Sequence, residues 1–185
     1  MTQLALIPQP PTVTSPDSNE WYTPRHIVEI ARRVMGGIDL DPFSCPQANE
    51  IVQADKYYTK EQDGLSLPWH GRIWCNPPYS RDLIGPAFER LHWHMENTSD
   101  IPCACWLTNA SVGSGWYDAA ISNAALTCLL RKRLRFWGPN AAGNSAAQGQ
   151  SVMLFLDPNY ADAGRVEAGF VQHFGRFGWV GKKAA

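Results

Sequence analysis

The chain has 185 residues, of which 44% are hydrophobic and 18% are charged, and its formal net charge at pH 7 is −1. This length allows one domain with a substantial core and does not favour two independent domains. The nearly neutral charge excludes a chain that is basic throughout, so any surface for nucleic acid must be a local patch.

The first third of the sequence predicts an arm, a helix and a strand. Residues 1–18 are rich in Pro, Thr and Ser, which indicates a flexible arm, and residues 19–185 read as a single domain. A helix follows, because Thr23 suits an N-cap, Pro24 suits the first helical position, and apolar residues recur at helical spacing up to Gly36. The run "IDLDPF" at 38–43 then predicts a short strand that stops at an Asp-Pro turn.

The rest of the chain alternates between strand and helix patterns. We predict strands in "GRIWC" (71–75), "IPCACWLT" (101–108), "ALTCLL" (125–130) and "SVMLFL" (151–156). We predict helices over 80–97, with a kink at Pro86, over 113–124 and over 161–178. The run at 101–108 is apolar throughout, which is typical of a strand buried on both faces.

This alternation predicts an α/β fold built on a mostly parallel sheet. No helix pattern separates the last two strands, so we expect them to form an antiparallel hairpin at one edge of the sheet. Ligands of open α/β sheets bind outside the carboxyl ends of the strands. The segments "DLDPF", "CNPPY" and "EWYTP" are therefore expected to converge on one crevice.

The sequence "WCNPPYS" at 74–80 ends one strand in a corner made of Asn76, Pro77, Pro78 and Tyr79. Asn76 and Pro77 each offer a carbonyl acceptor, and the prolines have no N–H. Two adjacent acceptors suit an amino group on a planar ring, since accepting both N–H bonds localises the lone pair and stabilises the developing cation. Attack on an activated sulfonium methyl donor then depends on positioning. Tyr79 can stack on the ring.

Five stretches, taken together, resemble the phage-type DNA N6-adenine methyltransferase family: "EWYTP", "DLDPFSCPQAN", "DGLSLPWHGRIWCNPPYS", "WLTNASVGSGWY" and "RLRFWG". The resemblance implies a Rossmann-like methyltransferase fold in abbreviated form. It also implies an enzyme that transfers a methyl group from S-adenosylmethionine to N6 of adenine in DNA. The NPPY motif alone is shared with enzymes that methylate RNA or protein glutamine, and a catalytically silent DNA-binding accessory protein with this fold is the other alternative.

The resemblance also implies roles at the cofactor. Trp21, Thr23 and Pro24 correspond to the segment at the methionine part, and Asp39 or Asp41 equally to the carboxylate that faces its ammonium group. Asp63 corresponds to the acceptor for the cofactor's adenine amino group. The full set of expected cofactor residues is Trp21, Thr23, Pro24, Asp39, Asp41, Pro42, Phe43, Asp63, Gly64 and Leu65.

At the DNA, the resemblance places Asn76, Pro77, Pro78 and Tyr79 on the target base, which must leave the duplex. Phe136 or Trp137 is expected to pack the flipped base from its other side. The basic run at 131–135 would be a solvated edge in another context and is expected to contact phosphates here. The expected nucleic-acid residues are Ser80, Arg81, Arg131, Arg133, Arg135, Phe136 and Trp137.

The sequence departs from the family pattern in two ways. "DPFSCPQ" replaces the usual glycine-rich turn after the first strand. No segment remains for a separate target-recognition domain, so we expect the loops at 80–84 and 138–150 to choose a short recognition sequence.

The resemblance implies a phage or prophage origin, and the remaining signals favour a cytoplasmic protein without metal or membrane contact. Five scattered cysteines without a CxxC pair are typical of buried free thiols. His92 and His94 are spaced so that they lie on different faces of a helix, which disfavours a shared metal. No apolar run approaches the roughly 18 residues of a membrane span, and no secretory signal is visible.

Overall fold

The computed structural model describes residues 21–138 and 148–182, so the predicted arm at 1–18 lies outside the described residues. Helices and strands alternate, as the sequence predicts. The α-helices of the described chain are α1 (Arg25–Met35), α2 (Pro46–Val52), α3 (Arg81–Asn97), α4 (Gly115–Asn123) and α5 (Ala163–Phe174). Its strands are β1 (Leu40–Asp41), β2 (Lys56–Tyr57), β3 (Ile73–Cys75), β4 (Cys103–Asn109), β5 (Leu126–Leu130), β6 (Gln150–Leu156) and β7 (Gly178–Lys182).

The described strands form one sheet in the order β2-β1-β3-β4-β6-β5-β7. β2, β1, β3 and β4 are parallel neighbours, and β6 is antiparallel to both β4 and β5. β5 therefore points the same way as the first four strands, and only β6 and β7 among the described strands run against them. The predicted Rossmann-like α/β fold with a mostly parallel sheet is confirmed.

The predicted antiparallel pair of β5 and β6 is present, with Leu126 opposite Leu154. It lies further into the sheet than its description as an edge hairpin implies, because β6 also pairs with β4 along its whole length and β7 adds a strand outside β5. The sequence pattern predicts that the last helix continues to residue 178, and it does not predict β7. Gly178 allows β7 to begin close beside β5. A Cβ there would lie 2.2 Å from the Leu129 carbonyl oxygen, so only glycine permits this close approach.

Helices cover both faces of the sheet. One buried cluster joins α1 and α5 to the sheet through residues such as Ile27, Phe170 and Cys105. The other joins α3 and α4 to the opposite face through Leu91 and Trp106. β4 supplies alternate residues to the two clusters, which confirms that the apolar run at 101–108 is buried on both faces.

The start of α1 differs from the prediction by one residue. Pro24 is the N-cap, and the Thr23 side chain makes no capping hydrogen bond. The C-cap is Gly36, whose φ of 82° lies in the left-handed region that favours glycine. Because α1 begins at the carboxyl edge of the sheet, the residues that precede it reach the ends of β1 and β3.

Candidate active site

A cavity of about 250 Å³ lies at the carboxyl ends of β1 and β3. Its walls come from the turn after β1, the segment 59–65, the corner after β3 and the residues before α1. The structure brings together at this cavity ten of the residues assigned from the sequence: Trp21, Pro42, Phe43, Asp63, Gly64, Leu65, Asn76, Pro77, Pro78 and Tyr79.

The Asn76 side chain is fixed from both ends. Its Nδ2 donates to the Trp21 carbonyl oxygen at 3.0 Å, and its Oδ1 accepts the Tyr79 hydroxyl at 2.7 Å. Three buried residues of β3 lead directly into this position, so the amide stands on a rigid support. Its carbonyl oxygen therefore has a defined direction in the cavity wall.

Tyr79 is a neutral hydrogen-bond donor in this site. Burial raises the pKa of its phenol above the ordinary value of 10.0. Its ring lies edge-on to Phe136, with centroids 6.3 Å apart. The hydroxyl thus keeps its proton and remains available to Asn76.

The residues before α1 are joined to the end of the basic segment by a short antiparallel bridge. Tyr22 and Trp137 exchange both backbone hydrogen bonds, at 2.8 and 3.1 Å, and their rings meet at 4.8 Å. Trp137 also donates from Nε1 to the Thr23 carbonyl oxygen at 3.1 Å. Phe136 is 3% exposed and meets Trp21 edge-on at 6.1 Å. Phe136 therefore packs behind the cavity wall, and Trp137 secures that wall to the rest of the fold.

Asp41 organises the turn that stands in place of the glycine-rich one. Its Oδ1 accepts the Phe43 N–H at 3.1 Å, which closes a local turn and presents Pro42 and Phe43 to the cavity. The side chain is 3% exposed. Desolvation by burial raises its pKa to about 7, against the opposing effect of the Phe43 N–H bond. Asp41 lies beneath the cavity wall and does not line it.

Asp39 lies at the opposite, amino end of β1 and is bound to Arg72. The Arg72 guanidinium donates to both carboxylate oxygens, at 2.8 and 2.5 Å, and the Arg72 backbone N–H donates at 2.6 Å. The hydrogen bond from this guanidinium lowers the pKa of Asp39 below 3.8. The sequence left Asp39 and Asp41 equal as neighbours of the cofactor. Asp39 is engaged by Arg72 away from the cavity and Asp41 is buried beneath its wall, so neither carboxyl lines the cavity.

The segment 63–65 forms another wall by packing on the turn after β1. Asp63 has a φ of 53°, and one of its carboxylate oxygens accepts the Leu65 N–H at 3.2 Å. A Cβ at Gly64 would lie 2.0 Å from the Pro42 carbonyl oxygen. Glycine at this position is what lets the two segments meet.

Thr23 and Pro24, which the sequence also assigned to the cofactor, do not line the cavity. Thr23 is 5% exposed, and its hydroxyl has no hydrogen-bond partner among the described residues.

Seven lining residues were not singled out from the sequence: Tyr22, Ser44, Cys45, Ala48, Thr59, Lys60 and Leu83. Four of them belong to stretches that carry the family resemblance: Tyr22, Ser44, Cys45 and Ala48. The stretches therefore indicated the location of the cavity, although these single residues were not assigned to it. Thr59 is the N-cap of a one-turn helix at 60–62, for which the sequence analysis predicts no element.

Apart from Phe136 and Trp137, the residues assigned to DNA follow the carboxyl ends of β3 and β5. Ser80 is the N-cap of α3, and Arg81 begins that helix. Arg131, Arg133 and Arg135 are exposed and form no ion pair with any described residue. Arg133 also lines an open cleft of about 610 Å³, together with residues 110–114 and 148–149. Residues 139–147 of the proposed recognition loop lie outside the described residues.

The described residues contain no group of three or more His, Cys, Asp or Glu side chains placed to share a metal ion. All five cysteines are unpaired, and four of them are buried. None of the helices within 21–138 and 148–182 has both the length and the apolar character needed to cross a membrane.

Comparison with known proteins gives three findings. The family model described as DNA N-6-adenine-methyltransferase matches residues 11–172. A protein of Escherichia phage T1, named DNA N-6-adenine-methyltransferase, is 30% identical over 109 residues, which cover 57% of this chain and 42% of that protein. The chain therefore spans less than half the length of that curated relative. A Listeria monocytogenes crystal structure, described as a class I S-adenosylmethionine-dependent methyltransferase, is 13% identical with a TM-score of 0.45 and covers 77% of this chain and 62% of that one.

Proposed function

Since this chain belongs to the DNA N-6-adenine-methyltransferase family, we propose that it transfers a methyl group from S-adenosylmethionine to N6 of adenine in DNA. The observation that carries the proposal is the arrangement of Asn76, whose carbonyl oxygen is fixed in the wall of a cavity beside a second acceptor at Pro77. The substrate, the cofactor and the residue roles given below are parts of this proposal.

The cavity fits S-adenosylmethionine by the chemistry of its walls. Trp21, Phe43 and Leu65 offer apolar surface to a flat adenine, and Asp63 offers a carboxylate oxygen to its amino group. When bound, the cofactor supplies a methyl group on a positively charged sulfur.

Asn76 and Pro77 would receive the amino group of the target adenine. An amide oxygen can accept two hydrogen bonds, so the Tyr79 hydroxyl occupies one direction at Asn76 Oδ1 and the adenine N6 takes the other. The Pro77 carbonyl oxygen accepts the second N–H. The hydrogen bonds to both acceptors would strengthen as positive charge develops on N6. They would therefore stabilise the transition state more than the bound base, which lowers the barrier to methyl transfer.

The rigid corner limits the reorganisation that this reaction requires. Pro77 and Pro78 fix the backbone and bring no N–H that would compete for the acceptors. The Trp21 carbonyl oxygen fixes the orientation of the Asn76 amide. Tyr79 supplies an aromatic wall against the base, with Phe136 packed edge-on behind it. The exposed Arg133 and Arg135 would contact the phosphates around the extruded base.

The test compares Asn76→Ala with Asn123→Ala, an exposed amide on α4 that donates only to the carbonyl of its own helix. We expect Asn76→Ala to lower kcat for adenine methylation by at least about a hundredfold, while the Kd of S-adenosylmethionine changes by less than about threefold. Asn123→Ala should match the wild type in both quantities.

Radiolabelled methyl transfer to DNA, RNA and protein identifies the substrate class in the same experiment. Label in adenine of DNA is the expected result. Label confined to RNA or protein would replace the DNA proposal. Binding of the cofactor without transfer to any substrate would identify a catalytically silent accessory protein.

A further inference from the structure

A row of aromatic and cationic side chains leads away from the cavity along the carboxyl edge of the sheet. We call it the edge strip and define it by His26, Arg131, Arg176, Phe177 and Trp179. All five residues are exposed. None of the five has a role in the methyl transfer proposed above.

Direct contacts join four members of the edge strip, and the fifth, Arg176, precedes Phe177 in the chain. The first member, His26, lies in the first turn of α1, four residues beyond Tyr22 in the cavity wall. The His26 ring stacks on Phe177 at a centroid distance of 5.8 Å. The Arg131 N–H donates to the Phe177 carbonyl oxygen at 2.9 Å, and the Arg131 guanidinium lies over the Trp179 ring at 5.4 Å. The edge strip thus reaches from the first turn of α1 to β7, the last described strand of the sheet.

The exposure of the aromatic members is unusual for a folded chain. Trp179 is 64% exposed and Phe177 is 39% exposed. Trp179 lies opposite Leu129 in the β5–β7 register, and Leu129 is itself 41% exposed. Contiguous exposed apolar surface of this kind marks an interaction site.

The cations of the edge strip have no carboxylate partners. Neither Arg131 nor Arg176 forms an ion pair within the described part of the chain, and the same holds for the neighbouring Lys132 and Arg133. Several unpaired cations in one region of a chain with net charge −1 favour a polyanionic partner.

We infer that the edge strip binds the DNA duplex that flanks the target adenine, with arginines on the phosphates and Trp179 against the sugar-phosphate surface. This inference rests on the proposed function, because it extends the path of the same DNA. A second copy of the chain pairing along β7 is the competing occupant. The unpaired cations argue against it, since two copies would bring like charges together.

The test uses DNA length to separate flanking contacts from contacts at the cavity. Kd is measured by fluorescence anisotropy with duplexes of about 10 and about 30 base pairs, the shorter being roughly one helical turn. The variants are Trp179→Ala and Arg131→Gln. Their matched controls are Trp93→Ala, which removes a tryptophan that is 51% exposed on α3 beneath Arg90, and Arg33→Gln, which removes an exposed cation near the far end of α1.

We expect Trp179→Ala and Arg131→Gln each to weaken binding of the long duplex about fivefold relative to wild type, with little effect on the short one. Arg131→Gln should also reduce the salt slope by about 0.9, and both controls should match the wild type. Equal losses on both duplexes, or no loss on the long one, would overturn the inference. So would a wild-type dimer in sedimentation that Trp179→Ala converts to a monomer, because the edge strip would then be an interface between copies.

Methyl transfer by the wild type is measured separately, so that the two proposals can fail independently. Length-dependent binding without methylation of adenine would refute the proposed function and leave the edge strip as a DNA contact. Methylation of adenine by the wild type, together with unaltered DNA binding by the edge-strip variants, would support the proposed function and refute the edge strip as a DNA contact.

Discussion

Replacing Asp41 with Asn tests whether the turn after β1 is held by a buried carboxyl group whose pKa is raised. Asn keeps an oxygen that can accept the Phe43 N–H, so the turn should persist. It cannot ionise, however. The variant therefore removes the pH dependence that Asp41 gives to the free energy of unfolding while preserving the local geometry.

The expected size follows from the pKa of Asp41, which burial raises from 3.8 to about 7. Because the folded chain binds this proton more tightly than the unfolded chain, stability is greatest below the unfolded value and falls as pH rises towards 7. Each tenfold change in proton affinity corresponds to about 1.4 kcal/mol. The free energy of unfolding should therefore fall by about 3 kcal/mol between pH 5 and pH 8. Above pH 7 the contribution is constant.

Urea unfolding of the wild type and Asp41→Asn at both pH values measures this quantity. We expect the stability of the variant relative to the wild type to increase by about 3 kcal/mol from pH 5 to pH 8. Asp39→Asn is the matched control, because the lowered pKa of Asp39 keeps its carboxylate ionised throughout this range. A constant difference between Asp41→Asn and the wild type would refute the assignment of Asp41 as a buried acid.

Three further substitutions probe the cavity. Gly64→Ala forces a methyl group onto the Pro42 carbonyl oxygen, so it should lower the free energy of unfolding by about 1–3 kcal/mol and remove most of the cofactor affinity. Its control, Gly85→Ala, adds a methyl group in open space on α3 and should raise the free energy of unfolding by up to about 1 kcal/mol. Calorimetry measures both effects. Tyr79→Phe removes the hydroxyl bonded to the Asn76 amide and should lower kcat about fivefold with unchanged cofactor Kd; an unaltered kcat would show that the hydroxyl is dispensable. Asp63→Asn should weaken cofactor binding about tenfold in titration calorimetry, and a wild-type Kd would remove Asp63 from the site.

Local patterns were sufficient for the parallel half of the sheet. The corner at Asn76 and the doubly buried β4 are encoded by contiguous residues, so their type could be predicted from the sequence. The position of β6 could not, because it depends on pairing between β4 and a strand that follows β5 in the chain. β7 was missed for a related reason: its five residues include two glycines and follow a helix pattern with little interruption.

The residues of the candidate site likewise fall into some that the sequence predicts and some that it does not. The family stretches brought Asn76, Tyr79 and the 63–65 segment to one cavity, since each stretch lies at the end of a strand or beside one. They could not separate Asp39 from Asp41, because both flank the same short strand. The distinction came from Arg72, a residue beyond the next strand whose guanidinium engages Asp39. An ion pair between residues this far apart leaves no periodic signal in a sequence.

The insertion of β6 between β4 and β5 also governs the order in which the sheet can be assembled. β4 and β5 are synthesised first, yet they are never neighbours, and the strand that joins them emerges later. Until then β4 has an unpaired, apolar edge on the growing chain. Closure of the sheet therefore waits for contacts between distant parts of the sequence, a topology associated with slow folding. The strand that completes the centre of the molecule is thus also the one that ends the period in which β4 is exposed to pairing with other chains.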